Sequence, residues 1–275
     1  MNFQKKIKLS VSIILVFSGF LINAFVGFED SDQVIIVAHR GAMTEKPENT
    51  LIAFRHAITQ GADIVEIDLW TSSDGYLFIL HDPTLDRTTN GTGYATDYTI
   101  DELQNLDAGS WFGERWTGER IPSFKEVLQW ATEEDVILLL DLKEQGHEFA
   151  ERVSRDVKMY GIEENMIIGV RTPEQALEFK ELLPNSSQLA FMRSPDLIEE
   201  YARADVEILR LWLRWLDEDP RLAERVRNTG KKLMINGTTG CLDETEKIMS
   251  FFPDWVLIDD VEQLKNSLDK IYNSY

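Results

Sequence analysis

Short apolar runs rich in β-branched residues alternate with helix-patterned segments along most of this chain, which restricts it to a parallel α/β architecture. The strand-like runs cover residues 34–37, 63–65, 77–80, 136–140, 166–170, 189–192, 207–211, 232–235 and 255–258. Helical spacing of apolar residues marks residues 50–59, 124–132 after a capping Ser123, 173–183 with Pro173 in the first turn, 242–251 and 261–272. His147 reads as a loop residue and His56 as a helix residue. Nine runs are one more than a (β/α)8 barrel needs, and turn chemistry identifies the extra one. Residues 71–75 end in Asp74-Gly75, a tight-turn signal, and are too short for a parallel crossover. The run at 77–80 must therefore return antiparallel. The expected fold is a TIM-type (β/α)8 barrel with a β-hairpin insertion after strand 2, formed by residues 31–275 as one domain.

The early runs each lead into side chains that can do chemistry: His39-Arg40-Gly41, Glu66-Ile67-Asp68, His81-Asp82 and Asp141-Leu142-Lys143. Strand ends that deliver such groups to one rim are the layout of a barrel active site. Period-two alternation puts Glu66 and Asp68 on one face, where they repel unless a cation lies between them. Asp141 can supply a third oxygen. Three carboxylates suit Mg2+ or Ca2+ and not zinc. His39 and His81 are the acid–base candidates, since imidazole exchanges protons near neutral pH. Arg40 and Lys143 are cations suited to phosphate oxygens. The returning hairpin would bring His81 back over the rim, close to Glu66 and Asp68. Thr50 or Asn49 reads as a helix cap, and Glu48 as non-catalytic. Trp111, Trp212 and Trp215 read as packing residues or as an entrance lining, and residues 83–121 as an entrance loop or a lid.

The ordered set His-Arg-Gly, Pro-Glu-Asn-Thr, Glu-x-Asp, Asp-Gly and His-Asp, dense from Val34 to Asn90, resembles the glycerophosphodiester phosphodiesterases. The resemblance implies metal-dependent hydrolysis of glycerophosphodiesters to glycerol 3-phosphate and an alcohol. It implies a divalent cation on Glu66, Asp68 and the position of Asp141, His39 and His81 as the acid–base pair, and Arg40 and Lys143 on the phosphate. Asp141 departs from the glutamate usual in the family. Leu233-Met234-Ile235-Asn236 and Ile258-Asp259-Asp260 depart from its late motifs, where the alcohol part of the substrate would be touched. The alternatives are a phospholipase or lysophospholipase acting on membrane lipid, and a non-catalytic phosphodiester-binding barrel.

Charge narrows the partners. With 28 basic against 48 acidic residues the net charge is −20, which argues against nucleic acid and leaves a small-molecule diester as the expected substrate. The lone Cys241 permits no intramolecular disulfide. Lys5, Lys6 and Lys8 precede an apolar stretch over residues 9–28, so residues 1–30 read as a signal peptide or an N-terminal membrane anchor. Either would put the barrel outside the cytoplasm, periplasmic, extracellular or attached to the membrane by that segment.

Overall fold

The structure is a computed structural model that describes residues 34–273. The expected signal peptide or anchor over residues 1–30 lies outside the described residues. The strands are β1 (Ile35–Ala38), β2 (Ile64–Thr71), β3 (Leu77–Ile79), β4 (Ile137–Leu142), β5 (Met166–Val170), β6 (Ser187–Ala190), β7 (Ile208–Trp212), β8 (Lys232–Asn236) and β9 (Trp255–Ile258). Helix α1 (Leu51–Gln60) joins β1 to β2, while α2 (Ile100–Gln104) and α3 (Phe124–Glu134) lie between β3 and β4. The later connections hold α4 (His147–Tyr160), α5 (Pro173–Leu182), α6 (Ile198–Arg203), α7 (Leu213–Glu218), α8 (Leu222–Asn228), α9 (Leu242–Met249) and α10 (Val261–Tyr272).

Eight strands form a closed parallel ring in the order β1-β2-β4-β5-β6-β7-β8-β9, with β9 pairing back onto β1. This is the (β/α)8 barrel the alternation predicts. Strand β3 lies outside the ring, antiparallel on β2 with Leu69 opposite Ile79 and Thr71 opposite Leu77. The hairpin turn is closed by the Ser72 N–H donating to the Tyr76 carbonyl at 2.8 Å, and Gly75 takes the left-handed φ of 84° that the turn needs.

Alternation along the strands divides the core in two. Val65, Ile67, Leu69, Leu138, Leu140 and Leu142 face outward and pack under the helices. Val37, Ile64, Leu139, Ile167, Ile208 and Met234 face inward and plug the barrel floor. The same inward positions turn polar toward the strand C-termini: Ile64 is followed by Glu66 and Asp68, and Leu139 by Asp141. The barrel is therefore a dry plug with a charged mouth.

Three expectations change. Glu66, Asp68 and Asp141 sit inside β2 and β4, not at their ends, because pairing with β3 and β4 carries β2 through to Thr71. Strand β6 starts two residues earlier than the apolar run, since Ser187 and Gln188 pair with β5. His147 is not in a loop: it opens α4, whose buried face is Phe149, Ala150, Val153 and Val157. Residues 83–121 form a small module with its own core of Phe78, Leu85, Ile100, Leu103, Ala108 and Ile121. Among the described residues no helix is long and apolar enough to cross a membrane.

Candidate active site

The mouth is built first by backbone geometry. β1 ends at Ala38, and after His39 the chain breaks at once into left-handed conformation at Arg40 (φ 54°) and Gly41 (φ 81°). A Cβ on Gly41 would lie 2.7 Å from the Ala53 carbonyl carbon in α1, so glycine is required there. The turn aims the Arg40 N–H at Glu66 Oε2, 2.8 Å away. Asn49 is also left-handed (φ 57°), and its amide donates to Asp68 Oδ2 at 2.7 Å. Left-handed non-glycine residues are unfavourable, and here both hold a carboxylate of the same cluster. The α1 cap is Thr50, which accepts from the Ala53 N–H; Asn49 positions Asp68 instead.

Glu66, Asp68 and Asp141 converge with one oxygen each within 4.8 Å of one another. Asp68 and Asp141 are register partners on adjacent strands, so the shorter aspartate still reaches the cluster. Lys143 Nζ bridges them, 2.6 Å from Asp68 Oδ1 and 2.6 Å from Asp141 Oδ2. Arg171, from the end of β5, also pairs with Asp141. Burial would raise the Asp141 carboxyl, but the Lys143 and Arg171 cations hold it below its ordinary value. Burial likewise opposes the Lys143 charge, and the surrounding carboxylates raise its pKa in spite of it. Glu66 is pushed up to about 8 by burial and by repulsion from Asp68.

That last shift tests the cluster as a metal site. The protein's own cations pair with Asp68 and Asp141, while burial and the Asp68 charge still oppose the ionisation of Glu66. One further positive centre among the three would relieve this. The donors are hard carboxylate oxygens, which fit a hard divalent cation.

His39 lies within electrostatic reach of Glu66 and His81 within that of Asp68, and the two are tuned in opposite directions. His39 Nδ1 is 2.6 Å from Asp259 Oδ1 and His81 Nδ1 is 2.6 Å from Asp82 Oδ1. Carboxylates accept, so each Nδ1 carries its proton and each Nε2 is the working nitrogen. Burial lowers His39, but the Asp259 hydrogen bond and the Glu66 charge overcome it, and the net shift is upward. Burial also lowers His81; the Asp68 charge and the Asp82 bond do not make this up, and the net shift is downward.

A second layer fixes these groups. Arg87 grips Glu48 through both terminal nitrogens at 2.8 Å and reaches Asp82 through Nε at 2.6 Å. Its hydrogen bond, helped by that of His81, holds the Asp82 carboxyl at about 2. Glu48 accepts from Arg40 at 3.0 Å as well. Sequence reasoning missed Arg87 and Arg171, gave Glu48 no positioning role, and read Asp259 as a rim residue near the alcohol and not as the partner of His39. Arg171 follows an apolar strand, so the rule that found Lys143 would have found it too. Arg87 and Glu48 carry no comparable signal, because their pairing spans 39 residues. His56 pairs with Glu45, and His147 with Glu178 and Glu151, away from the cluster. Trp212 stands on the rim, Trp215 packs on the outer core, and Trp111 is exposed on the 83–121 module.

Comparison with known proteins agrees with this architecture. The glycerophosphoryl diester phosphodiesterase family profile matches residues 39–172. A glycerophosphodiester phosphodiesterase of Caldanaerobacter subterraneus is 32% identical over 244 residues, covering 86% of this chain and 99% of the relative. The crystal structure of a glycerophosphodiester phosphodiesterase from Agrobacterium tumefaciens superposes with a TM-score of 0.74 at 27% identity, covering 85% of this chain and all of that one. An Oleispira antarctica phosphodiesterase, solved in complex with its product sn-glycerol-3-phosphate, superposes at 0.77 with 26% identity over 85% of this chain and 96% of that one. A full-length relative above 30% identity and a shared barrel leave one conclusion: this chain belongs to the glycerophosphodiester phosphodiesterase family, enzymes that hydrolyse phosphoric diesters.

Proposed function

We propose that the protein hydrolyses glycerophosphodiesters to glycerol 3-phosphate and a free alcohol, using His39 as general acid, His81 as general base, and Mg2+ or Ca2+ held by Glu66, Asp68 and Asp141. The observation that carries this reading is the opposed tuning of two histidines, each hydrogen-bonded to its own aspartate, beside one buried acidic trio. His81, kept neutral, accepts at Nε2 the proton of the attacking hydroxyl, whether of water or of the substrate's own glycerol. His39, kept protonated by Asp259, delivers a proton at Nε2 to the departing alkoxide. Arg40 and Lys143 hold the phosphate oxygens and oppose the charge that builds on them. Arg87 and Glu48 act through others, Glu48 by orienting Arg40 and Arg87 by orienting Asp82. Bound among the three carboxylates, the cation would polarise the phosphate and restore Glu66 to its ionised form.

The same proposal places the barrel outside the cytoplasm, delivered by residues 1–30 as a cleaved signal or a retained anchor; the support is the Lys5, Lys6 and Lys8 cluster ahead of the apolar stretch. The deciding experiment is release of glycerol 3-phosphate from glycerophosphocholine in Mg2+, in Ca2+ and in EDTA. Release in either metal that EDTA stops, and that His81→Ala abolishes, supports the assignment. No release in either metal from glycerophosphocholine and from glycerophosphoglycerol alike rejects it.

A further inference from the structure

Across the mouth from the acidic trio lies a second cationic construction that the reaction above does not use. In the closed ring β7 is four places from β2, hence diametrically opposite Glu66 and Asp68. Midway along β7, two residues before Trp212 at its rimward end, sits Arg210, 7% exposed. Its guanidinium lies between two rings, 4.8 Å from the centroid of Phe191 and 4.2 Å from that of Trp212. Arg171 stands 5.6 Å from the other side of this set, over Phe191, and Arg214 lies 5.2 Å from Trp212. The result is a ladder of three guanidiniums interleaved with two aromatic rings across the tops of β5 to β7.

Only Arg171 in the ladder has a carboxylate partner, Asp141. Arg210 makes no ion pair or hydrogen bond with any described residue, and its Nε is buried without a partner. Burial lowers its guanidinium to about 10. A buried cation without a counter-ion is costly, and a chain with net charge −20 has carboxylates to spare. Nearby Asp141 is already taken by Lys143 and Arg171. Stacking uses only the faces of a guanidinium; its in-plane N–H donors stay free to meet an oxyanion in bidentate fashion.

We infer that the Arg210 ladder, with Arg214 at its outer edge, is a subsite for a second oxyanion, so that the preferred substrate is a glycerophosphodiester whose alcohol half bears its own phosphate or carboxylate. This rests on the reaction proposed above. A diester bound with its scissile phosphate at Arg40 and Lys143 extends across the mouth toward β7. A cationic alcohol such as choline would meet arginine there, while an anionic one would supply the missing counter-ion.

The test is a comparison of kcat/KM for four diesters: glycerophosphoglycerol, its phosphorylated form, glycerophosphoserine and glycerophosphocholine. The phosphorylated diester is expected to exceed glycerophosphoglycerol by tenfold or more, with glycerophosphocholine lowest. Glycerophosphoserine, a carboxylate beside an ammonium, separates carboxylate from phosphate recognition. Arg210→Met is expected to cut the phosphorylated-to-neutral ratio by about tenfold. Arg214→Gln, on the exposed edge and harmless to folding, should lower the same ratio by a few-fold. A ratio near one in the wild type, or a ratio that neither variant changes, overturns the subsite. Loss of turnover on all four diesters in the wild type overturns the reaction itself, and the subsite with it.

Discussion

At the residue scale the paired histidines make the sharpest prediction. A base with a lowered pKa and an acid with a raised one give a bell-shaped pH–rate profile that is wider than two unperturbed imidazoles would give. Asp259→Asn removes the main support of the raised His39 value, so the alkaline limb should move to lower pH while the acidic limb stays put. Movement of both limbs, or of neither, would contradict the assignment. Glu66 makes the second. Its proton is held more tightly in the folded protein than in the unfolded chain, with a pKa of about 8 against an ordinary 4.5. The stability it contributes to the metal-free protein is therefore full below about 4.5 and is lost as pH rises through about 8. Glu66→Gln, which imitates the protonated acid, should raise the melting temperature of the metal-free protein above that range and erase the gain that added Mg2+ or Ca2+ gives the wild type. Calorimetry in EDTA and in metal checks both.

At the scale of elements, the polar tips were legible and their lengths were not. The hairpin could be read because Asp74-Gly75 leaves no room for a crossover, and the eight parallel strands followed from that subtraction. The continuation of β2 past Val65 was hidden, since a carboxylate in a strand looks like a strand end until its cross-strand partners are known. Helix α4 had a readable apolar stripe at Phe149, Val153 and Val157, diluted by many charges. The second layer was the least legible, because Arg87, Glu48 and Asp82 meet only through the fold. Two substitutions probe the elements directly. Thr50→Ala removes the α1 cap and should cost about 1 kcal/mol of stability in urea unfolding. At Gly169 on β5 an added Cβ would lie 2.3 Å from the Phe191 ring. Gly169→Ala should therefore displace Phe191 from between Arg171 and Arg210, lowering stability by about 1–3 kcal/mol.

For the whole molecule, the division into a dry floor and a charged mouth separates stability from activity. The inward plug of Ile64, Ile167 and Ile208 packs the floor with apolar side chains and contributes no reacting group. Ile208→Ala, paired with Leu189 and Lys232 at the floor, should cost about 2–5 kcal/mol while leaving KM near its wild-type value below the melting transition. Bound metal works from the other end. At a hundred times its dissociation constant a cation adds about 2.7 kcal/mol of stability, and that increment should shrink as pH falls below about 8, when Glu66 takes a proton that the ion must displace.

The ring closes where β9 pairs with β1, and the hydrogen bond between His39 and Asp259 crosses that seam over 220 residues of sequence. The acid that would finish the reaction is thus tuned by one of the last parts of the barrel to be synthesised. A nascent or truncated chain lacking β9 carries Glu66, Asp68, Asp141 and both histidines, yet cannot form the His39–Asp259 hydrogen bond. On the proposed roles, turnover would report that β9 has docked, because His39 and Asp259 meet only across this seam.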